Sequence, residues 1–351
     1  MLAGFFLLLT GFAAALPAHD VSVSGSASKT LTARQSFPST FKWSSSEALV
    51  GPKSDGRNIA GIKDPSIIFY EDKYHVFAST ASSPGGYNLV YFSFTDFAEA
   101  GNATFHYLDQ SPLGKGYRAA PQVFYFEPQS LWYLIYQNNN AAYSTNKDIN
   151  DPSGWTAPKT FFSNVPSTIN KYLSGGYWVD MWVICDAENC HHFSSDDNGH
   201  LFRAQTSVSD FPNKMGEPVV ALQDSKNALF EASNVYKIGD SEYLLIVEAI
   251  SSDGARWFRS WTSDSLSRKW TALAATESNP FARSNNVAFT GKTWTKSISH
   301  GEMIRDKVDQ TMTISPCNLR YLYQGVDPSA SGNYNSLPWK LGLLTQTNSA
   351  C

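Results

Sequence analysis

The chain carries a repeated pattern of short apolar segments separated by polar turns. Each apolar run is followed by a turn and then by a second run rich in Tyr and Trp. Four such hairpins occupy residues 66–79, 122–137, 181–205 and 233–249, and a more divergent fifth copy spans 298–324. Apolar runs of this length, bounded by turn residues, are typical of antiparallel β-hairpins.

The hairpins recur at a regular spacing. Their first strands begin near residues 66, 122, 181 and 233, and a further strand that ends in a Ser/Thr/Asp turn follows each of these four hairpins. Repeats of this kind are typical of β-propellers, in which each blade covers the face of its neighbour. The five copies predict an all-β fold, a five-bladed β-propeller in a single domain, with little helix because capped amphipathic segments are lacking. A two-sheet sandwich is the alternative, although the strand count is high for it.

The segment before the repeats differs in composition. Residues 2–16 are apolar and end among small residues, which is typical of a secretory signal peptide and short for a membrane span. The expected organisation is a signal peptide at 1–18, a Ser/Thr-rich leader at 19–37 and the propeller catalytic domain at 38–351. The protein is expected to be secreted and extracellular, and the sequon at Asn102 is compatible with glycosylation.

Composition narrows the class of partner. Hydrophobic residues make up 42% of the chain, aromatic residues 14% and charged residues 17%, which excludes a disordered or coiled-coil protein. The formal charge of −4 comes without long runs of either sign, so neither nucleic acid nor an anionic membrane is an expected partner. A neutral ligand and a monomer are expected.

The chain has four cysteines: Cys185, Cys190, Cys317 and Cys351. An even count in an exported chain favours two disulfides, and the most local of the three pairings joins the first two and the last two. Zinc binding by Cys185, Cys190 and the adjacent His191 and His192 is the alternative. The apolar strand around Cys185 and the oxidising compartment favour the disulfide.

Candidate catalytic residues appear where the repeats are compared at the start of their first strands. In a propeller these innermost strands line the axial funnel, so polar residues there converge although they are far apart in sequence. The residues at these positions are Asp64, Asp180 and Glu231 in repeats one, three and four, His300 in repeat five, and Arg118 and Gln122 in repeat two.

Three carboxylates in one funnel suggest acid and base chemistry. Burial and mutual repulsion separate the pKa values of such groups, and a pair of carboxyl groups flanking a glycosidic bond is the usual machinery of sugar hydrolysis. The alternative is purely structural: Asp64 opens a turn, Asp180 binds a backbone amide and Glu231 lies at the surface. Because three acidic residues occupy matching positions, a catalytic function is favoured over the structural alternative.

Several ordered motifs carry a family resemblance. They are the segments 41–45 (FKWSS), 63–66 (KDPS), 178–185 (WVDMWVIC), 229–233 (LFEAS), 299–302 (SHGE), 320–325 (RYLYQG) and 337–341 (LPWKL). Together they resemble glycoside hydrolase family 62, over roughly residues 38–349.

The resemblance implies a secreted α-L-arabinofuranosidase that removes single arabinofuranosyl branches from arabinoxylan and arabinoxylo-oligosaccharides with inversion. It implies that Asp64 is the general base, Glu231 the general acid and Asp180 the residue that modulates the pKa of the acid. The implied arabinose pocket is lined by Lys63, Arg256, Tyr323 and Gln324, and the residues implied to touch the xylan backbone are Tyr334 and Asn335.

The resemblance also implies a structural ion, usually calcium, on the propeller axis beside His300. A lone imidazole is a poor ligand for a hard cation, so such an ion requires water in most of its shell. No cofactor is expected for catalysis, because hydrolysis by two carboxyl groups needs no Lewis acid.

Two other functions remain open from the sequence. A related propeller glycosidase, such as a β-xylosidase or an endo-arabinanase, could use the same carboxylates in a differently shaped pocket. A non-catalytic sugar-binding propeller would instead be expected to repeat equivalent sites around the ring. The acidic residues occur in three of five repeats and differ in their surroundings, which favours one asymmetric active site.

Overall fold

The computed structural model describes residues 37–82, 85–349 and 351. The expected signal peptide (1–18) and residues 19–36 of the expected leader lie outside the described residues. The first strand, β1 (Trp43–Ser45), belongs to the last blade, and four sheets of four antiparallel strands follow along the chain.

Each of these four sheets is built from consecutive strands and forms one blade. The first contains β2 (Ile59–Tyr70), β3 (Lys73–Ser82), β4 (Tyr87–Phe94) and β5 (His106–Tyr107). The second contains β6 (Ala119–Phe126), β7 (Leu131–Gln137), β8 (Ala141–Asn146) and β9 (Lys159–Thr160). The third contains β10 (Val179–Cys185), β11 (Asn189–Ser195), β12 (His200–Ser207) and β13 (Val219–Gln223). The fourth contains β14 (Glu231–Gly239), β15 (Glu242–Ile250), β16 (Arg256–Ser263) and β17 (Thr271–Ala272).

The fifth blade joins the two ends of the domain. A two-stranded sheet, β18 (Ala275–Thr276) and β19 (Asn279–Pro280), precedes it. The blade itself contains β20 (Val287–Phe289), β21 (Ser299–Met303), β22 (Arg320–Gly325) and β23 (Lys340–Gln346), together with β1. Strand β1 pairs antiparallel with β23 and parallel with β20. The fifth blade therefore combines the first strand of the domain with its last four strands. The five-bladed propeller is confirmed.

Helices contribute little, as expected. The described residues contain one α-helix, α1 (Ser167–Tyr172). They also contain short 3₁₀ helices at Phe97–Asn102, Leu108–Gln110, Glu127–Gln129, Ser284–Asn286 and Tyr334–Ser336. None of the helices in the described part of the chain is long and apolar enough to span a membrane. Asn102 is exposed, and its side-chain amide donates a hydrogen bond to Glu99.

The core lies between the blades and near the axis. Strand β10 is buried at every position, which is the pattern of a strand covered on both faces. Its Trp182 donates an indole hydrogen bond to the carbonyl of Val235 in the next blade, at 3.0 Å. Such contacts explain why the innermost strands are continuous apolar runs in the sequence.

The disulfide pairing is as expected from the sequence. Cys185 and Cys190 join β10 to β11, and Cys317 is joined to Cys351. Because both cysteines of the first pair are oxidised, they are not available as zinc ligands. The second disulfide ties residue 351 to the segment before β22.

Candidate active site

The innermost strand of every blade changes register at the position where the candidate residues lie. In β2, β6, β10, β14 and β21 the pairing with the second strand shifts by a bulge. Four bulge residues have a positive φ: Asp64 at 48°, Ala120 at 51°, Asp180 at 57° and Ala232 at 55°. A bulge re-aims a side chain, and this backbone conformation costs free energy unless the surroundings enforce it.

A neighbouring acceptor holds the backbone N–H of each bulge. The bonds run from Asp64 N to Gln324 Oε1 (2.7 Å), Ala120 N to Ser79 Oγ (2.8 Å), Asp180 N to Gln137 Oε1 (2.8 Å), Ala232 N to Asp180 Oδ2 (2.7 Å) and His300 N to Glu248 Oε2 (2.7 Å). In each case the acceptor comes from the preceding blade around the ring. The bulges are therefore fixed by contacts between blades.

The bulges correct one detail of the sequence comparison. Asp64 and Asp180 occupy the positive-φ position of their strands, whereas Glu231 precedes that position, which Ala232 fills. In blade two the same position is held by Ala120, and not by the Arg118 and Gln122 that the sequence comparison selected. Glu231 is therefore offset by one residue from the two aspartates, which gives it a different direction of approach to the cleft.

A cleft of about 780 Å³ brings together most of the predicted site residues. Its lining includes Lys63, Asp64, Asp180, Glu231, Arg256, His300, Tyr334 and Asn335. Tyr323 and Gln324, also expected in the arabinose pocket, lie behind this lining. Tyr323 is fully buried and hydrogen bonds to the Ser45 hydroxyl, and Gln324 holds the backbone of Asp64.

Asp64 is surrounded by groups that favour its charged form. Burial alone would raise its pKa, but Lys63, His300 and hydrogen bonds from the Ser79 hydroxyl and the Ala120 amide outweigh burial and lower the pKa below its ordinary value. The Nδ1 atom of His300 lies 3.5 Å from Asp64 Oδ1. An ionised Asp64 can accept a proton from a water molecule in the cleft.

Asp180 has the opposite environment. Burial, and then the nearby carboxylates of Glu231 and Asp64, raise its pKa well above the ordinary value. Its Oδ2 accepts the Ala232 N–H bond and lies 3.6 Å from His300 Nδ1. Asp180 thus contacts the residue next to Glu231, and it shares His300 as a neighbour with Asp64.

Glu231 is paired with Arg256, a half-buried arginine. Arg256 Nη1 donates to Glu231 Oε1 at 2.8 Å and to Glu248 Oε1 at 2.5 Å. Glu248 is fully buried, and its other oxygen accepts bonds from the Ser299 hydroxyl and the His300 amide. Burial and the charge of Glu231 raise the pKa of Glu248 to about 7, against the lowering effect of Arg256.

A fourth carboxyl group lies in the cleft. Asp197 lines it together with Glu231, and the two carboxyl groups are close enough to interact. Burial raises the pKa of Asp197 to about 9, and the charges of Glu231 and Asp180 act in the same direction. A group with this pKa is a neutral carboxylic acid at neutral pH.

The rim of the cleft carries aromatic and amide groups. Lys63 Nζ donates to the hydroxyl of Tyr334 at 3.1 Å, and Asn335 Oδ1 accepts from the hydroxyl of Tyr87 at 2.8 Å. Tyr334 is 40% exposed and Tyr177, on the same lining, is 72% exposed. Exposed ring faces beside hydrogen-bonding groups are suited to sugar rings.

The structural calcium ion expected beside His300 can be compared with the residues around the axis. A cavity of about 10 Å³ beside His300, Asp180 and Ser233 has room for one water-sized species, and the buried Ser233 hydroxyl has no partner among the described residues. The described part of the chain contains no group of three or more His, Cys, Asp or Glu side chains placed to hold a metal. The calcium ion is therefore not confirmed.

Several functional contacts were missed by the sequence reasoning, and some had a signal. Gln137, Glu248 and Gln324 are polar residues that follow apolar runs at or near the end of the second strands of their blades, in the segments LWYLIYQ, YLLIVE and RYLYQ. A comparison of second strands would have found them. Asp197 had no such signal, since it lies in a turn of only one blade.

Acidic side chains gathered in one cleft are the kind of groups that glycoside hydrolases use. The model of glycosyl hydrolase family 62 matches residues 42–345 of this chain. The chain belongs to glycosyl hydrolase family 62, which confirms the resemblance in the sequence.

The chain is also similar to individual named proteins, which include α-L-arabinofuranosidases. The chain is 43% identical over 308 residues to α-L-arabinofuranosidase C of Cellvibrio japonicus, covering 87% of this chain and 47% of that protein. The chain thus spans about half the length of that curated relative. The catalytic domain of the family-62 α-L-arabinofuranosidase of Coprinopsis cinerea is 69% identical, with a TM-score of 0.88 over 90% of this chain and 99% of that chain. A family-62 hydrolase in complex with xylotriose is 59% identical, with a TM-score of 0.86 over 88% of this chain and 98% of that chain.

Proposed function

We propose that the protein is an α-L-arabinofuranosidase that removes single arabinofuranosyl branches from arabinoxylan with inversion. The observation that carries this proposal is the cleft that brings Asp64 and Glu231 together with different neighbours. Asp64 lies beside Lys63 and accepts hydrogen bonds that favour its charged form, whereas Glu231 lies against Arg256 and the carboxyl groups of Asp180 and Asp197, whose pKa values are raised.

Asp64 acts as the general base in this proposal. Its lowered pKa keeps it ionised, so it can take a proton from a water molecule while the oxygen of that water attacks the anomeric carbon. Inversion requires room for this water, and the two carboxyl groups of inverting enzymes stand roughly 6.5–9.5 Å apart. Lys63, next to Asp64 and facing Tyr334, is placed to bind sugar hydroxyls.

Glu231 acts as the general acid. Its O–H bond breaks as the proton passes to the glycosidic oxygen, and the xylan hydroxyl leaves. Asp180 modulates the protonation of Glu231, because it contacts the Ala232 amide beside Glu231 and the two carboxyl groups repel each other when ionised. Arg256 keeps the side chain of Glu231 in place.

The substrate follows from the relatives and from the rim. The named relatives are α-L-arabinofuranosidases, and one family member binds xylotriose. Tyr334 and Asn335 lie at the rim of the cleft, where a xylan backbone can cross while the branch enters. Arabinoxylan and its oligosaccharides are therefore the proposed partners, bound by a monomer.

Export and the axial ion belong to the same proposal. Two disulfides and an exposed sequon at Asn102 support an extracellular glycoprotein. A structural calcium ion beside His300 would draw most of its ligands from water, and catalysis does not depend on it.

Arabinoxylan digestion followed by proton NMR tests the proposal. The wild-type protein should release arabinose alone, with the β-anomer appearing first, whereas xylose or oligosaccharides would favour a β-xylosidase or an endo-arabinanase.

Asp64→Asn and Glu231→Gln should each lower kcat by at least about a thousandfold while remaining folded. Asp240→Asn, in the exposed turn between β14 and β15, is the control and should keep wild-type activity. Saturable binding of arabinoxylan without release of any sugar would reject the proposed activity and favour a non-catalytic sugar-binding propeller.

A further inference from the structure

The turn between β11 and β12 places an acidic side chain in the cleft that the proposed reaction does not use. Asp196 is fully buried and fixes the turn. Its Oδ1 accepts bonds from the amides of Asn198 (2.8 Å) and His200 (3.1 Å), and its Oδ2 lies 2.6 Å from His200 Nδ1. Asp197 follows with a positive φ of 54° and lines the cleft.

A second contact holds the same turn from the outside. Gly199 has a φ of 98°, and a Cβ atom there would lie 2.3 Å from the carbonyl oxygen of Asp224. The amide of Asp224 donates to the carbonyl of Gly199 at 3.0 Å. The backbone on both sides of Asp197 is thus held tightly, so its side chain has a fixed direction.

The side chain of Asp197 meets Glu231. The two carboxyl groups line the same cleft close enough to interact, and a hydrogen bond between them requires that one of them carry a proton. The Oδ1 atom of Asp197 is buried and has no hydrogen-bond partner among the residues described. A charged carboxylate with one buried, unpartnered oxygen is costly, so once Glu231 has given up its proton and the pair holds a single proton, that proton belongs on Asp197.

We propose that Asp197 is a neutral carboxylic acid that donates a hydrogen bond to Glu231 and stabilises the carboxylate that Glu231 becomes after it has given up its proton. The inference rests on the proposed function of Glu231 as the general acid. No proton leaves Asp197: the Glu231 O–H bond breaks, the new O–H bond forms on the leaving oxygen, and the electron pair stays on Glu231. A neutral donor aimed at developing negative charge is a recognised catalytic device.

Other charged groups around this pair set the conditions for the hydrogen bond. Those facing Asp197 or Glu231 are Asp180 from β10, Glu248 from β15, Arg256 from β16 and the hydroxyls of Tyr87 and Tyr334. Arg256 is the one cation in this set and already bonds Glu231 through Oε1. Burial, and the charge of Glu231 whenever that group is ionised, disfavour an ionised Asp197 and keep it protonated.

Two variants separate hydrogen bonding from charge. Asp197→Ala removes the donor, and kcat on arabinoxylan should fall about ten- to a hundredfold with KM changed less than about twofold. Asp197→Asn keeps a neutral donor and should keep kcat within about threefold of the wild type. Equal loss in both variants, or no loss in Asp197→Ala, would overturn the inference. The exposed Asp240→Asn variant is the control for general effects of the substitution.

Substrates with different leaving groups test whether Asp197 acts through Glu231. A nitrophenyl arabinofuranoside has a leaving group that departs without protonation, so loss of the acid step has little effect on it. The kcat of Asp197→Ala should therefore fall less than about threefold on this substrate, and equal losses on both substrates would indicate a structural role only. Glu231→Gln is the reference variant. If its kcat does not fall more on arabinoxylan than on the nitrophenyl substrate, Glu231 is not the general acid and the proposed function is wrong. If Glu231→Gln shows this selective loss of kcat and Asp197→Ala does not, only the present inference is rejected.

Discussion

Gln324 accepts a hydrogen bond of 2.7 Å from the backbone amide of Asp64, although 260 residues separate them in the chain. Its Nε2 donates to the Ser299 hydroxyl at 2.9 Å, so both ends of the amide are occupied. Gln324 is 1% exposed and lies behind the cleft lining. It therefore acts on Asp64 through the backbone and holds the bulge that aims the carboxylate.

Replacing Gln324 by Leu should separate this positioning role from packing. The variant leaves the Asp64 N–H group without its acceptor and removes one of the two hydrogen bonds of the Ser299 hydroxyl, which still donates to Glu248, so the free energy of unfolding should fall by about 1–3 kcal/mol. The kcat on arabinoxylan should fall about tenfold or more because the base loses its fixed direction. Denaturant unfolding and steady-state kinetics measure both.

The control for this prediction is Gln310→Leu. Gln310 also accepts a backbone bond through its side chain, from Glu127 at 3.1 Å, but it lies outside the cleft. Its replacement should leave kcat unchanged. A Gln324→Leu enzyme that is less stable but has wild-type kcat would contradict the positioning role.

Arg256 and Glu248 form a buried ion pair that depends on both members. The Arg256→Met variant leaves the fully buried Glu248 without its cationic partner, so the free energy of unfolding should fall by about 3–5 kcal/mol. Adding Glu248→Gln removes the unpaired charge, so the double variant should recover most of the lost free energy of unfolding. Denaturant unfolding of the four proteins of the cycle gives the coupling between the two sites.

Activity should not follow stability in this cycle. The double variant still lacks the 2.8 Å bond from Arg256 to Glu231, so its kcat should remain low. A double variant that is no more stable than Arg256→Met would show that Glu248 is not charged in the folded protein. Recovery of kcat together with stability would show that Arg256 serves only the fold.

The sequence predicted the architecture because the repeat is visible in local patterns. Each hairpin contributes its own apolar runs and turn, and these are readable without knowledge of the neighbours. Strands β1 and β20 were not predictable in this way, since each has three residues and takes its place in the fifth blade only through pairing with distant strands.

The site was predictable to a more limited depth. Asp64 and Asp180 stand in register in the sequence, but the offset of Glu231 by one residue depends on where the bulge falls, and a bulge is decided by pairing between strands. Asp197 reaches the cleft through a turn held by Asp196 and Gly199. Such contacts arise from tertiary structure and leave no periodic signal.

The Cys317–Cys351 disulfide should contribute to stability without contributing to catalysis. It closes a segment of 34 residues that contains β22 and β23, and the chain-entropy model gives about 4 kcal/mol for a loop of this size. Cys317→Ala/Cys351→Ala should therefore unfold at a lower denaturant concentration with kcat unchanged. Cys351→Ala alone should behave in the same way, because Cys351 is exposed and loses little packing. Unchanged stability in both variants would contradict the prediction.

The pH dependence of stability should report the neutral form of Asp197 without any reference to turnover. The ordinary pKa of an aspartate is near 4, and the fold raises that of Asp197 to about 9, so the folded protein favours the protonated form. The contribution of this group to stability is therefore full at low pH and is lost progressively as the pH rises from about 4 to about 9. Asp197→Asn does not ionise, so its melting temperature should rise relative to that of the wild type as the pH increases.

Thermal unfolding of both proteins between pH 4.5 and 9 measures this difference. Asp180 and Glu248, whose pKa values are also raised, lose stability in the same direction, but they are present in both proteins and largely cancel in the comparison. The exposed Asp240→Asn variant should track the wild type at every pH. A constant difference between Asp197→Asn and the wild type over this range would mean that Asp197 is already ionised in the folded protein, and it could not then donate a hydrogen bond to Glu231.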